Sequence, residues 1–197
     1  MVDFKTSQTK DNLMRAFAGE SQARNRYTFA AGIAVKQKQH MIADVFLFTA
    51  NQEKEHAEIF YNHLQQLAGE TIFIDGGYPI DISEDVISLL KSAHHNEYEE
   101  YQDVYQNFSE IAKQEGFLKV AQDFKNIANI EKTHGDRFQE IATLLENNQL
   151  YVSNVTCQWM CLNCGFIYEG TAVPERCPVC DHDQGYFIRI ELAPYTK

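Results

Sequence analysis

The sequence predicts an all-α four-helix bundle followed by a small metal-bound module of short strands and turns. Apolar residues recur at helical spacing in four long segments up to about residue 147. From about residue 157 this period is lost, and four cysteines form two Cys-x-x-Cys pairs among glycines, prolines and aromatic residues. We therefore divide the chain into a helical bundle, 1–147, a polar linker, 148–156, and a cysteine module, 157–197.

Helix stop and start signals separate the four segments. Gly69 and Gly116 are natural stops, and Ser83 opens a Ser-Glu-Asp sequence that suits an N-cap with an acidic first turn. Residues 69–83 form a long connection between the second and third helices. Two helical hairpins joined by such a crossover describe a four-helix bundle of the ferritin-like type. The helices are expected at about 10–37, 40–67, 83–115 and 117–147.

Composition narrows the functional class of this chain of 197 residues. A net charge of −11 and the absence of a basic cluster argue against a nucleic-acid partner. No apolar run approaches the roughly 18 residues that span a bilayer, and residues 1–10 lack the apolar stretch of a signal peptide. We expect a cytoplasmic protein without a membrane partner, in which cysteines bind metal more often than they form disulfides.

Two Glu-x-x-His segments, at Glu53 and at Glu131, each place a carboxylate and an imidazole one turn apart on the apolar face of a helix. A single Glu-x-x-His is a weak signal, because surface pairs and satisfied core histidines produce it too. Here each copy follows a lone carboxylate on the preceding helix: Glu20 lies 33 residues before Glu53, and Glu97 lies 34 before Glu131. With Glu100 one turn beyond Glu97, the candidate metal ligands are Glu20, Glu53, His56, Glu97, Glu100, Glu131 and His134.

The negative charge of this ligand set indicates why it would bind metal ions. Five ionised carboxylates in an apolar core would repel one another, and several would have to be protonated. Two ferrous ions offset the charge, since +4 against −5 leaves about −1. One Glu from each of two helices, with Glu-x-x-His from each of the other two, is the ligand arrangement of di-iron and di-manganese carboxylate proteins. The set therefore predicts a di-metal centre, and oxygen and imidazole ligands favour Fe or Mn.

Two tyrosines lie close to these ligands along their helices. Tyr27 is two turns beyond Glu20 on the same face, and Tyr105 follows Glu100 by five residues. We interpret both as hydrogen-bond donors that orient ligand carboxylates and so belong to the catalytic site. The alternative is that they are core aromatic residues with an unrelated hydroxyl partner.

The cysteine module has the spacing of a four-thiolate metal site. Two Cys-x-x-Cys pairs separated by twelve residues supply four thiolates to one tetrahedral ion, which can be Zn²⁺ or Fe. Trp159, Tyr168 and Phe187 are among the surrounding aromatic residues, which favour a rubredoxin-like iron site over a zinc ribbon, although zinc substitution stays open. Cys157 lies outside the pairs and is expected to take no part. The predicted ligands are Cys161, Cys164, Cys177 and Cys180.

With these motifs, the chain closely resembles the rubrerythrin family over nearly its whole length. The resemblance implies a non-haem, NAD(P)H-linked peroxidase that reduces hydrogen peroxide to water and protects against oxidative stress. It implies a di-iron centre and one Fe(Cys)4 iron through which electrons enter. The residues that carry the resemblance are 18–27 (AGESQARNRY), Glu53-x-x-His56, Glu97-x-x-Glu100, 115–117 (EGF), Glu131-x-x-His134 and the four paired cysteines.

The resemblance also implies partners and a ligand exchange. One iron would move between Glu100 and His56 as its redox state changes. The electron donor would be rubredoxin, an NAD(P)H-dependent rubredoxin reductase, or both, and the usual assembly is a head-to-tail homodimer. Two other functions stay open: a ferroxidase, iron-handling or O2-reducing di-iron protein, and a sensing module whose cysteines bind zinc.

Overall fold

A computed structural model describes residues 2–193, which form the predicted helical bundle with a small sheet domain after it. Residues 194–197 of the predicted cysteine module lie outside the described residues. None of the described helices is long and apolar enough to cross a membrane. The helices are α1 (Gln8–Lys36), α2 (His40–His63), α3 (Val86–Glu99), α4 (Tyr105–Glu115) and α5 (Leu118–Glu146).

The bundle core is divided into two apolar clusters along the helix axes. α1 packs on α2, and α3 and α4 pack on α5. Each cluster contains a trio of aromatic rings with centroids less than 6 Å apart. Between the two clusters lies a layer of buried charged side chains. The trios are Tyr27, Phe46 and Phe138 in one cluster, and Phe60, Tyr105 and Phe124 in the other.

The third helix of the bundle is interrupted, where the sequence predicted one continuous helix over 83–115. Glu100–Val104 form a π-helical turn between α3 and α4. A π turn adds a residue, and one residue corresponds to about 100° of rotation around a helix. Consequently Tyr105 and Ala112 are buried, whereas Phe108, which the uninterrupted pattern places in the core, is only partly buried.

The start of α3 also differs from the prediction. Asp85, not Ser83, is the N-cap residue, and its carboxylate accepts a hydrogen bond of 2.8 Å from the backbone N–H of Ser88. Ser83 instead accepts from the backbone N–H of Asp85, one step outside the helix. Both residue types cap helices, so local sequence alone left the choice open.

The long connection between α2 and α3 is present as predicted. Residues 68–85, here called the crossover, contain neither helix nor strand. Two ion pairs attach the crossover to α1: Arg15 Nη2 lies 2.6 Å from Asp75 Oδ1, and Arg26 pairs with Asp81. The two arginines are eleven residues apart, about three helical turns, so they lie on one face of α1.

The cysteine module contains three strands, β1 (Val152–Cys161), β2 (Ile167–Ala172) and β3 (Phe187–Arg189). They form an antiparallel sheet in the order β2-β1-β3. β1 already pairs with β2 at Val152, so regular structure begins inside the segment 148–156 predicted as linker.

The module docks on the turn between α1 and α2. The Tyr186 ring stacks on His40 with centroids 4.0 Å apart, and the Tyr151 hydroxyl donates to Gln39 Oε1 at 2.6 Å. Gly185 approaches so closely that a Cβ there would lie 1.9 Å from the carbonyl oxygen of Lys38. A side chain at position 185 would therefore separate the module from the bundle.

Replacing Asp85 by alanine should lower the free energy of unfolding of the metal-free chain by about 1 kcal/mol, because an N-cap acceptor is lost. Urea unfolding followed by far-UV circular dichroism measures the change. Ser83→Ala is the matched control and should change the value by less than about 0.5 kcal/mol. A larger loss for Ser83→Ala than for Asp85→Ala would show that Asp85 is not the effective cap.

Candidate metal centres

The charged layer between the two apolar clusters contains six of the seven predicted bundle ligands. α1 and α3 each contribute one carboxylate, and α2 and α5 each contribute a Glu-x-x-His pair. All six residues are at most 5% exposed, which unpaired charges would not tolerate. The six are Glu20, Glu53, His56, Glu97, Glu131 and His134.

These six residues form two overlapping sets of four metal-ligand atoms. One set combines Glu20 and His56 with Glu53 and Glu131, and the other combines Glu97 and His134 with the same two glutamates. Within each set the ligand atoms lie within 4.8 Å of one another. Glu53 and Glu131 therefore belong to both sets, as carboxylates that bridge two ions do.

The distances between ligand atoms fit metal coordination. His134 Nδ1 lies 2.9 Å from Glu131 Oε2 and 3.0 Å from Glu53 Oε1. His56 Nδ1 lies 3.0 Å from Glu131 Oε1 and 3.1 Å from Glu53 Oε2. Two ligands at about 2.1 Å from one octahedral ion are about 3 Å apart. These six residues, here called the cage, thus have the spacing that two ions of this kind require.

Unpaired polar atoms in the cage provide a second test of fit. Six buried atoms of the cage have no hydrogen-bond partner among residues 2–193, although their neighbours are close, because the atoms are not aligned for hydrogen bonding. Leaving so many buried polar atoms unpaired would be costly, and two metal ions would satisfy them. The atoms are Glu20 Oε2, Glu53 Oε1, Glu97 Oε2, both Glu131 carboxylate oxygens and His134 Nδ1.

Proton affinities show how the cage is neutralised when metal is not bound. Burial, and next the charge of Glu53, raises the pKa of Glu97 to about 8. Burial also raises the pKa of Glu20 well above its usual range. For His56, burial lowers the pKa, but the carboxylates of Glu131 and Glu53 together outweigh burial and raise it to about 10. For Glu53, burial raises the pKa, but the neighbouring imidazoles outweigh it and lower it to about 2.

Tyr27 and Tyr105 both donate hydrogen bonds to cage carboxylates. Tyr27 donates to Glu97, and Tyr105 donates to Glu20. The sequence associated each tyrosine with a carboxylate on its own helix, whereas both partners lie on another helix. Burial, followed by nearby carboxylates, raises the pKa of both hydroxyls well above the usual range, so they remain donors.

Glu100, the seventh predicted ligand, lies outside both sets of four. It is the first residue of the π-helical turn. Burial, and next the charge of Glu97, raises its pKa well above the usual range. Its Oε1 lies 3.9 Å from the position that a Cβ on Gly19 would occupy, on the side of α1.

Two residues that sequence analysis missed help to shape the cage. Gln52 Oε1 lies 3.1 Å from His134 Nε2, so it can hold the proton there and leave Nδ1 free for a metal ion. Gly135 permits close packing of α3 on α5, because a Cβ there would lie 2.6 Å from Tyr98 Cδ2 and 3.3 Å from the Glu97 Cβ. For Gly135, the signal available in the sequence was a glycine inside a helical pattern.

The four paired cysteines come together in the module. Cys161 Sγ lies 3.7 Å from Cys180 Sγ, and Cys164 Sγ lies 3.7 Å from Cys177 Sγ. Sulfurs at about 2.3 Å from one tetrahedral ion are about 3.8 Å apart, so the group fits such an ion. A hydrogen bond from the backbone N–H of His182 lowers the pKa of Cys180 to about 6, which favours a thiolate.

Each Cys-x-x-Cys pair forms the same tight turn. The backbone N–H of Gly165 donates to the Cys161 carbonyl at 2.7 Å, and that of Asp181 donates to the Cys177 carbonyl at 2.9 Å. Both donors have a positive φ, at 76° and 60°. Cys157 lies outside the four-sulfur group, with its Sγ 3.9 Å from the carbonyl oxygen of Gly170.

The bundle with two carboxylate-sharing ligand sets and the four-cysteine domain define a ferritin-like di-iron protein with a rubredoxin-like domain. The family model described as rubrerythrin matches residues 11–142, and the model of the rubrerythrin rubredoxin-like domain matches residues 159–188. The chain therefore belongs to the rubrerythrin family.

Curated relatives agree over almost the full length. The chain is 41% identical over 188 residues to the rubrerythrin of Clostridium perfringens, covering 95% of this chain and 96% of the relative. It is 37% identical over 187 residues to the rubrerythrin of Nitratidesulfovibrio vulgaris, with coverage of 95% and 96%.

Solved structures agree with the fold. The partially reduced state of nigerythrin matches with a TM-score of 0.63 and 26% identity, over 96% of this chain and 91% of that chain. A Desulfovibrio desulfuricans bacterioferritin shares the fold alone, with a TM-score of 0.56 and 20% identity over 73% of this chain and 87% of that chain. The chain thus has the residues of a di-iron centre and of a four-cysteine rubredoxin-like site.

Metal binding to the bundle should release protons at neutral pH. His56 and Glu97, with pKa values of about 10 and about 8 in the absence of metal, hold protons that an incoming ion must displace. Affinity for Co²⁺ should therefore rise between about pH 6 and pH 8. Calorimetric titration in two buffers of different protonation enthalpy counts the released protons.

The cysteine site must be filled with zinc beforehand, so that only the bundle titrates. Exposed His95→Ala is the control variant and should release the same number of protons. Binding without proton release would show that the cage carboxylates and imidazoles are not protonated before metal binds.

Proposed function

We propose that the chain is a peroxidase that reduces hydrogen peroxide to water at a di-iron centre and receives electrons singly through its four-cysteine site. The observation that carries this proposal is that Glu53 and Glu131 belong to both ligand sets. Two ions that share ligands suit a two-electron reaction at one place. When bound in the ferrous state, such a pair supplies the two electrons that cleavage of the O–O bond requires, and two protons complete two water molecules.

The cage residues take different roles in this proposal. Glu53 and Glu131 would hold both ions, whereas Glu20 and Glu97 would each hold one. Tyr27 and Tyr105 hold Glu97 and Glu20 in place through their hydroxyl protons. These hydrogen bonds would keep the carboxylates of Glu97 and Glu20 in place when the charge of the ions changes.

The two histidines differ in how they are held, which supports the predicted exchange at His56. Gln52 binds the outer nitrogen of His134. The equivalent position before Glu131 is Ile130, whose side chain cannot accept a hydrogen bond from an imidazole. No described residue hydrogen-bonds to Nε2 of His56. We propose that His56 would release its ion in one redox state and that Glu100 would take its place as a ligand.

The cysteine module supplies electrons in this scheme. Cys164 is exposed, and Val179 beside the second cysteine pair is 65% exposed, so an external donor can approach this edge. Cys161 lies on the bundle side, where it lines a cavity of about 520 Å³ together with Arg137, one turn from His134. We propose rubredoxin, an NAD(P)H-dependent rubredoxin reductase, or both as donors, and a homodimer as the assembly.

Glu20→Ala and His56→Ala should each lower the rate of peroxide reduction more than about 100-fold, because each removes a ligand from the buried cage. Steady-state peroxide consumption with a chemical reductant measures the loss. Both variants should keep the iron–thiolate absorption of the four-cysteine site. Glu55→Ala, an exposed glutamate beside His56, is the matched control and should retain full activity. Full activity in both ligand variants would contradict the site assignment.

Stopped-flow reoxidation of the fully reduced protein separates the remaining functions. Faster reoxidation by hydrogen peroxide than by O2 supports the peroxidase. Faster reoxidation by O2 would indicate an oxidase, and accumulation of ferric iron beyond two ions per bundle would indicate iron storage. Protein that lacks iron–thiolate absorption and contains zinc in the module would remove the internal electron source.

A further inference from the structure

A cavity of about 350 Å³ separates the cage from solvent on the side of α1. Glu100 and Tyr105 line its inner wall, and Tyr105 hydrogen-bonds to the cage residue Glu20. The outer wall belongs to the crossover. A small molecule in this cavity can therefore contact Tyr105, which itself contacts the cage residue Glu20. The crossover residues of the wall are Gly76, Gly77, Tyr78 and Pro79.

Tyr78 covers the approach to Glu100 inside this cavity. A Cβ on Gly19 would lie 3.8 Å from Tyr78 Cε1 and 3.9 Å from Glu100 Oε1. The aromatic ring, the backbone of α1 and the carboxylate thus meet around one point. Because residue 19 has no side chain, the ring of Tyr78 is what limits access at this point.

Local contacts hold the Tyr78 ring in this position. Its hydroxyl donates to the backbone carbonyl of Arg15 at 3.1 Å. Gly76 lies under the ring, where a Cβ would be 3.0 Å from the hydroxyl oxygen and 3.2 Å from Cε2. An alanine at position 76 would therefore require the ring to shift by a few tenths of an ångström, without changing any cage residue.

Polar contacts hold the crossover on either side of Tyr78, and near its start Ile72 packs against the apolar cluster that contains Phe60. Asp75 and Asp81 pair with arginines of α1 on either side of Tyr78, and Asn96 Nδ2 donates to Asp81 Oδ2 at 2.7 Å. Ile80 and Ile82 point to solvent, at 84% and 92% exposed. The Asp75 side chain is 93% exposed, so its ion pair contributes little stability, whereas the Arg26–Asp81 pair is largely buried and holds the other side of Tyr78 more firmly.

We propose that Tyr78 is a specificity-determining gate, which admits hydrogen peroxide to the Glu100 side of the cage and excludes bulky organic hydroperoxides. The identity of the oxidant rests on the proposed function, whereas the steric cover over the cage does not. The gate explains why the crossover places a tyrosine ring beside Gly19 and Glu100, directly after Gly76 and Gly77 and between two ion pairs.

Tyr78→Ala should raise the rate constant for reoxidation by cumene hydroperoxide roughly tenfold or more, and that for hydrogen peroxide less than about threefold. Gly76→Ala should change the ratio of the two rate constants by a smaller factor, because it displaces the ring by only a few tenths of an ångström and does not remove it. Phe73→Ala is the matched control, since Phe73 lies on the same crossover, is 89% exposed and does not line the cavity.

A second measurement does not depend on peroxide chemistry. Pyridine-2,6-dicarboxylate should remove Co²⁺ from the bundle of Tyr78→Ala with a larger second-order rate constant than from the unchanged chain or Phe73→Ala. Faster removal in a chain that reduces no peroxide would support the gate and refute the proposed function. If neither the oxidant ratio nor the removal rate changes in Tyr78→Ala and Gly76→Ala, Tyr78 is not a gate.

Discussion

The layer of carboxylates inside the bundle is the constraint on which the rest of the structure depends. Apolar packing could have continued through this layer, yet it stops, and the core divides into two clusters above and below it. Each cluster contributes one tyrosine from its aromatic trio to hold a carboxylate of the layer. Protons or metal ions must neutralise the layer, and only metal ions also satisfy the unpaired ligand atoms.

Close contacts fix the position of the cysteine module on the bundle. Gly185 against the carbonyl of Lys38, and the stacked pair of His40 and Tyr186, position the sheet on the turn between α1 and α2. Cys161 consequently lies on the face of the module that meets the bundle, whereas Cys164 is exposed. The two ends of the four-cysteine site thus face different environments, which suits a site that takes an electron from outside and passes it inward.

Much of the fold and the cage could be predicted from sequence, because helical period and ligand spacing are local patterns. The π turn could not, since Phe108 fits an uninterrupted helix and only tertiary packing selects the extra residue that turns Tyr105 inward. The partners of Tyr27 and Tyr105 lie on another helix, so spacing along one helix could not identify them. Gln52 and Tyr78 also contact residues that are distant in the sequence, and neither residue type is a usual metal ligand.

The internal repeat and its departures explain why the two halves of a symmetric cage would behave differently. Glu20 and Glu97 are equivalent, but three residues further on the first half has the buried Ala23 where the second half has Glu100. Gln52 supports His134, whereas its equivalent, Ile130, offers His56 no acceptor. The second half therefore has an additional carboxylate, Glu100. The first half has an imidazole, that of His56, whose Nε2 has no hydrogen-bond partner among the described residues. The proposed ligand exchange between His56 and Glu100 would need both departures at once, since an additional ligand is useful only where the first ligand can leave.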